Sequence, residues 1–305
     1  MNYTVAAYTD IGIQKPTNQD SICVRRAAIP DGGETVLAVV CDGMGGLKKG
    51  EVASAAVVSA FGKWFDENLS RLPLLCGSTF MPLRHQWEVL IDTLHQTMRR
   101  YSAENSVQLG TTVSAFFAYT DHYLTMTVGD SRIYERNNAL KQLTQDQSLV
   151  AREVAAGRIS EEESRHHPQR NVLLQCIGTG CEHIVPVFTE GRVRDNTIYL
   201  LCTDGFVHEP SHTELENVFQ PLSLNSKEAI TNALYQITEL CKNRGETDNI
   251  TAVLLKANES LTEKTIHNGF FRLFQTPRIK KKPVEKPTLQ ETAQIVHTSE
   301  EIGRY

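Results

Sequence analysis

Four aspartates stand beside apolar runs in this chain, and a fifth lies near its N-terminus. Asp42 closes VLAVVC in the string CDGMGG, Asp130 follows YLTMTV in GDSR, Asp204 follows IYLLC in TDGF, and Asp248 precedes ITAVLL in TDNI; the fifth, Asp20, ends TNQD. Taken singly, each is an ordinary turn residue, because Asp-Gly and Asp-Asn dipeptides reverse or cap a chain. Taken together they carry chemistry. Adjacent strands gather their ends along one sheet edge, and several carboxylates brought to one point repel one another unless a cation lies between them. All-oxygen donors select a hard ion, Mg2+ or Mn2+, over zinc or copper. Glycine follows both Asp42 and Asp204 and allows close backbone approach, so that a main-chain carbonyl such as that of Gly43 can serve as a further ligand. The chemistry implied is two-metal hydrolysis. Two cations about 3.5 to 4 Å apart lower the pKa of a bridging water, hold the hydroxide for in-line attack and neutralise a phosphoryl group.

Other routes to hydrolysis lack their residues. There is no GxSxG elbow, and CDGMGG lacks the Lys-Ser/Thr ending of a phosphate-binding loop. Cys41 and Cys202 end apolar runs, where a buried thiol is inert. The seven cysteines are odd in number and scattered, with no CxxC pair, which suits reduced core thiols in a cytosolic protein better than a disulfide framework or a zinc site.

The elements that must position the aspartates are legible as patterns. Strands are expected at Thr35 to Cys41, Val113 to Tyr119, Tyr123 to Val128, Thr197 to Cys202 and Ile250 to Leu255, with Asp121-His122 as a hairpin turn. Helical spacing joins Trp87, Leu90, Ile91, Leu94, Met98 and Tyr101 on one face, Ile230, Leu234, Ile237 and Cys241 on another, and Val57, Phe61 and Trp64 in a helix over 51 to 69. These stripes read as core. The helices fall in two groups instead of following every strand, which favours an α+β fold of antiparallel sheets with helices outside over a doubly wound parallel sheet.

The chain has 305 residues, 40% of them hydrophobic and 22% charged, enough for a sizeable core. Its net charge of -5 gives no general attraction to nucleic acid, and no apolar run approaches the roughly 18 residues of a membrane span. The N-terminus has neither a basic start nor a signal-like apolar core. After Ala257 the composition changes: Pro277, Pro283 and Pro287 interrupt a stretch carrying Arg272, Arg278, Lys280, Lys281, Lys282 and Lys286. Residues 1–257 are therefore expected to form the domain, and 258–305 a disordered tail that is either a solvated linker or a dock for an acidic partner or membrane surface.

In order along the chain, TDIGIQKPTNQD, VVCDGMGG, GTT, TVGDSRIYE, LTQDQS, RNVLLQCIG, LLCTDGF and TDNITAVLL resemble the metal-dependent serine/threonine protein phosphatases, the PPM or type 2C family, in their bacterial form. The resemblance runs from about residue 5 to 255. It implies a sandwich of two antiparallel β-sheets flanked by helices (αββα), with a binuclear Mn2+ or Mg2+ centre at one end. It also implies residue roles: Asp42 bridges both metals, the Gly43 carbonyl binds one, and Asp204 and Asp248 bind the other. Asp20 holds waters at the centre, and Asp130 binds a third, weaker metal. The implied activity is hydrolysis of phosphoserine and phosphothreonine in proteins, opposite a Ser/Thr kinase, by a cytoplasmic monomer.

Some positions depart from the family pattern. Lys15 stands where an arginine usually grips the substrate phosphate, keeping charge but losing the bidentate fork. Gln19 replaces a more acidic residue. Met44 occupies the place of a histidine found in many eukaryotic relatives, which leaves the general acid unassigned. His208, four residues after Asp204, stands where some relatives carry a third-metal carboxylate; a solvated side chain is the simpler expectation for it. Gln147 to Pro168 corresponds to the family's flap, read here as two short helical pieces around Gly157, ending in His166-His167, a pair expected at the surface. Two further functions stand beside the phosphatase: a pseudophosphatase that binds phosphoproteins without turnover, and hydrolysis of a nucleotide or small phosphoester.

Overall fold

The computed structural model describes residues 1–29, 33–44, 49–76 and 79–258, and the backbone of 289–295. Its strands are β1 (Asn2–Asp10), β2 (Ser21–Ala28), β3 (Glu34–Cys41), β4 (Gly43–Met44), β5 (Gly110–Thr111), β6 (Val113–Tyr119), β7 (His122–Val128), β8 (Arg132–Arg136), β9 (Leu140–Gln142), β10 (Val187–Arg192), β11 (Ile198–Cys202), β12 (Ile250–Asn258) and β13 (Leu289–Ile295). The helices are α1 (Gly50–Asn68), α2 (Leu72–Leu75), α3 (Met81–Asn105), α4 (Leu149–Ala155), α5 (Glu161–Arg165), α6 (Asp204–Val207), α7 (His212–Val218) and α8 (Lys227–Asn243). One sheet has the order β1-β12-β11-β8-β9, the other β10-β7-β6-β3-β2-β13, and every described pairing is antiparallel.

Three apolar layers hold the sandwich together. Between the sheets lie Val36, Ala38, Val40, Phe116, Tyr199, Leu201 and Val253. The opposite faces of the same strands pack outward. Leu37, Val39 and Phe117 meet Phe61, Trp64 and Trp87 of α1 and α3, and Leu200 and Leu254 meet Ile230, Leu234 and Ile237 of α8. A strand covered on both faces has no reason to alternate, which is why VLAVVC, IYLLC and ITAVLL are continuous apolar runs.

The expected α+β sandwich is therefore present, with local differences. The hairpin between β6 and β7 turns at Thr120-Asp121, one residue earlier than expected, with His122 already paired to Tyr119 and Thr120 in the left-handed region at φ 55°. On α3 the buried face includes His95, whose imidazole holds the loop at 178–181 through Gly178 N–H and the Cys181 carbonyl, whereas Tyr101 is exposed. Strands β1, β2, β4, β5, β8, β9, β10 and β13 are additional to the five expected. The expectation of a disordered tail falls on residues outside the described set, except that Leu289–Ile295 adds a strand to the edge of β2.

Candidate metal centre and cleft

Strands β3 and β11 run towards the same end of the sandwich as the start of β12, and β7 ends there too. This brings Asp42, Asp130, Asp204 and Asp248 to one rim, with Asp20 arriving just before β2. Backbone hydrogen bonds fix the rim. The Asp42 carbonyl accepts from Thr111 Oγ1 at 2.8 Å and Thr112 N–H at 2.9 Å, while Asp42 N–H donates to Thr112 Oγ1 at 3.0 Å. Gly43 N–H donates to the Gln19 carbonyl at 3.1 Å, which also accepts from Ser54 Oγ at 2.6 Å. A Cβ on Gly43 would collide with the Gly50 and Gln19 carbonyls, so only glycine allows β4 to pass this close to the start of α1. Gly129, at φ 103°, makes the turn that delivers Asp130. Gln147 clamps that turn by donating its N–H to the Gly129 carbonyl and accepting Gly129 N–H on Oε1, both at 2.9 Å.

Asp204 opens α6, and Thr203 before it donates its hydroxyl to Asp20 Oδ2 at 3.0 Å. Asn249, beside Asp248, accepts Gln19 N–H at 2.9 Å and donates to the carbonyls of Ile11 and Thr17. One amide thus ties the loop carrying Lys15 and Asp20 to the start of β12. Sequence patterns did not single out Asn249, Ser54 or Gln147 for these roles; an Asn following the Asp in TDNI was the only visible signal.

The carboxylates are short of positive charge. Burial, then the charges of Asp248 and Asp204, pushes Asp20 up to about 7 despite the hydroxyls it accepts from. Burial and Asp204 push Asp130 up to about 8, and Asp42 is held well above the carboxylate range by burial together with Asp20, Asp204, Asp248 and Asp130. Asp20 Oδ1 and Asp204 Oδ1 are buried without a hydrogen-bond partner. Lys15 supplies one cation, its Nζ 2.7 Å from Asp248 Oδ1. Burial works against that ammonium, but Asp248, Asp42 and Asp204 together hold its pKa up. Orphaned carboxylate oxygens among mutually repelling aspartates fit a divalent cation of oxygen preference. Among the described residues no three His, Cys, Asp or Glu side chains close into a coordination shell by themselves, so main-chain oxygen and water would have to complete it.

His208 is not the solvated side chain expected. Because α6 places residues four apart on one face, its Nε2 lies 3.6 Å from Asp204 Oδ2, and its Nδ1 lies 3.4 Å from Glu246 Oε2. Glu246 Oε1 in turn accepts N–H of Thr247 and Asp248. His166 and His167 do not line the cleft. The flap forms as expected, α4 capped by Ser148 and α5 by a Ser160–Glu163 capping box, joined through Gly157. Beneath it lies a cavity of about 660 Å3 that opens onto Asp130 and Asp204. Its floor holds a half-buried fork: Arg132 donates to both oxygens of Asp146 at 2.7 to 3.1 Å and to Tyr134 Oη at 3.1 Å.

The family model described as protein phosphatase 2C matches residues 13–255. The serine/threonine phosphatase stp of Listeria welshimeri is 32% identical over 226 residues, covering 73% of this chain and 84% of that protein. A solved serine/threonine phosphatase of S. agalactiae is 27% identical and superposes with a TM-score of 0.71, covering 84% of this chain and all (100%) of that one. The catalytic domain of the serine threonine protein phosphatase PstP, solved in complex with two manganese ions, shares the fold with a TM-score of 0.68 at 24% identity, covering 84% of this chain and 99% of that one.

Proposed function

From the premise that this chain belongs to the protein phosphatase 2C family and is a serine/threonine protein phosphatase, we propose that it removes phosphate from phosphoserine and phosphothreonine at a two-metal centre built on its strand-end aspartates. The observation that carries this reading is the gathering of carboxylates from β3, β11 and β12 at one rim, with buried oxygens on Asp20 and Asp204 left unpartnered. Asp42, the Gly43 carbonyl, Asp204 and Asp248 are the residues that would hold Mn2+ or Mg2+, and Asp130 a third ion. The cations would supply charge neutralisation at the phosphoryl group and a lowered water pKa.

The chain's own residues do the rest. Lys15, ion-paired to Asp248 at the rim, carries the positive charge that would meet the substrate phosphate. Asp20, buried and hydrogen-bonded by Thr203, orients the attacking water and can take its proton. Thr111, Thr112 and Asn249 hold the rim rigid, so that the phosphoryl group meets a preorganised site.

Residues 1–257 are the catalytic domain in this reading, supported by a family match that ends at 255, and 258–305 are an appended tail. Every proposed ligand comes from one chain, so a monomer would hold a complete site. A hydrolase of phosphorylated Ser and Thr implies a kinase that installs the phosphate. Seven free cysteines, five of them buried, favour a reducing cytoplasm. Among the described residues no helix is long and apolar enough to cross a membrane.

The decisive experiment is hydrolysis of a phosphothreonine peptide by the purified protein with Mn2+, with EDTA, and by Asp204→Ala. Metal-dependent turnover that the variant loses is expected. A folded, metal-binding protein without turnover would replace this reading with phosphoprotein binding.

A further inference from the structure

The cleft cavity has two unlike walls. Its floor is acidic where it meets Asp130 and Asp204, and Arg132 fully engages Asp146. Its flap side carries Arg165, at the end of α5, and Arg170 just beyond it. Elsewhere, Arg25, Arg26, Arg136, Arg152, Arg158 and Arg244 each face a carboxylate within ion-pair distance, whereas among the described residues Arg71, Arg99, Arg100, Arg192 and Arg194 have none but do not line this cavity. Arg165 and Arg170 line it and face none either: among the described residues neither has a carboxylate that close, although Glu161 lines the same cavity. Their hydrogen bonds go to neutral carbonyls. Arg165 Nη1 donates to Pro210 O at 3.4 Å and His208 O at 3.5 Å, and Arg170 Nη1 donates to Arg165 O at 3.0 Å.

These bonds orient two guanidinium groups without neutralising them. They span from the flap to the segment after α6 and so place both charges in the wall of a cavity continuous with the aspartate rim. Its volume falls in the range of specific ligand sites, about 300 to 1,000 Å3. Arginine's planar fork favours bidentate pairing with a carboxylate or phosphate.

We propose that Arg165 and Arg170 form an anion subsite that reads a negatively charged group flanking the phosphorylated residue of the substrate. This rests on the phosphatase reading above and narrows its substrate class to phosphopeptides with an acidic neighbour, whether a carboxylate or a second phosphate. The anion would fill the wall of the cleft where positive charge is unmatched, and the flap would hold the peptide while the rim acts on it.

The test compares kcat/KM for three sets of phosphothreonine peptides, carrying Glu, phosphoserine or Gln at positions one to four residues to either side, using the full chain with Mn2+. The expected result is about a tenfold or greater preference for Glu or phosphoserine over Gln at one position, expressed in KM, falling towards unity in Arg165→Gln/Arg170→Gln. Arg165→Glu/Arg170→Glu should shift the preference to a Lys-flanked peptide. Which anion is favoured separates a carboxylate reader from a reader of paired phosphates. Equal kcat/KM for all three sets in the wild type, or a preference that survives the double substitution, overturns the subsite while leaving the phosphatase reading intact. Absence of metal-dependent turnover on every peptide would instead sink that underlying reading and the subsite with it.

Discussion

At the end of the sandwich away from the cleft, Glu34 takes Arg26 Nη2 on both its oxygens, at 2.9 and 2.7 Å, and accepts Tyr3 N–H at 3.2 Å. At the cleft end, Asp20, Asp42, Asp130 and Asp204 crowd together with Lys15 ion-paired to Asp248 and with two oxygens unpartnered. Both regions remove carboxylates from water, and β3 runs from one to the other. The same chain therefore matches the Glu34 carboxylate from within and leaves carboxylate oxygens of Asp20 and Asp204 unpartnered at the rim. Charge matched from within serves folding; charge left over awaits something from outside. Substitutions should have opposite effects at the two ends.

The largest effect is expected for Asp42→Asn against Glu34→Gln. The first should reduce phosphothreonine peptide hydrolysis by about 100-fold or more while leaving the melting temperature unchanged or higher, since it relieves repulsion. The second should leave the site intact and cost about 2 to 4 kcal/mol by removing the carboxylate charge that Arg26 and Tyr3 N–H share. Equal loss of stability in both would erase the distinction.

Next in size is Asn249→Ala, which cuts the tie between the Lys15 loop and β12. It should lower kcat/KM by about 10-fold, as loss of a group supporting metal ligands does, with a smaller change in melting temperature. Activity within twofold of wild type would show that the loop holds its place without the amide.

The pH dependence of stability sharpens the contrast further. Asp20 and Asp130, pushed up to about 7 and about 8 chiefly by burial, titrate near 3.9 in an unfolded chain. Between about pH 4 and 8 the folded form without a cation thus holds more protons than the unfolded one, and stability falls as pH rises through that window. Mn2+ should raise the melting temperature by several degrees at pH 8 and by much less at pH 5. A metal-induced shift that is the same at both values would place the ion elsewhere.

The smallest effect is expected for Lys15→Arg, which restores a bidentate fork at the phosphate. KM should fall by roughly 2- to 5-fold with kcat little changed. An unchanged KM would mean that Lys15 serves Asp248 and not the substrate.

Much of the fold was legible because its central strands are buried on both faces, and VLAVVC, IYLLC and ITAVLL could be little else. Asp42, Asp130, Asp204 and Asp248 were legible for the same reason, since each flanks such a run. Strands β1 and β2 were not expected, because β1 finds its partner β12 across nearly the whole chain and β2 mixes Arg25 and Arg26 into its apolar run. The charged β8 was hidden likewise: Arg132 and Arg136 become tolerable only through Asp146 and Glu216. His208 looked solvated because Glu246, which encloses it, is 38 positions away in sequence. Backbone-mediated support, such as Thr112 on Asp42 or Gln147 on Gly129, leaves no periodic trace.

The flap is closed at its base by two backbone hydrogen bonds, Leu149 N–H to the Val172 carbonyl and Leu174 N–H to the Gln147 carbonyl, each 2.8 Å. Beyond this neck the flap is tied back through Arg165 to the carbonyls of His208 and Pro210, and the stretch between α4 and α5 can be lengthened at little entropic cost, about 0.6 kcal/mol per doubling. Insertions between residues 156 and 160 should therefore be tolerated without disturbing the carboxylate rim. The protein can evolve what it recognises separately from the reaction it performs.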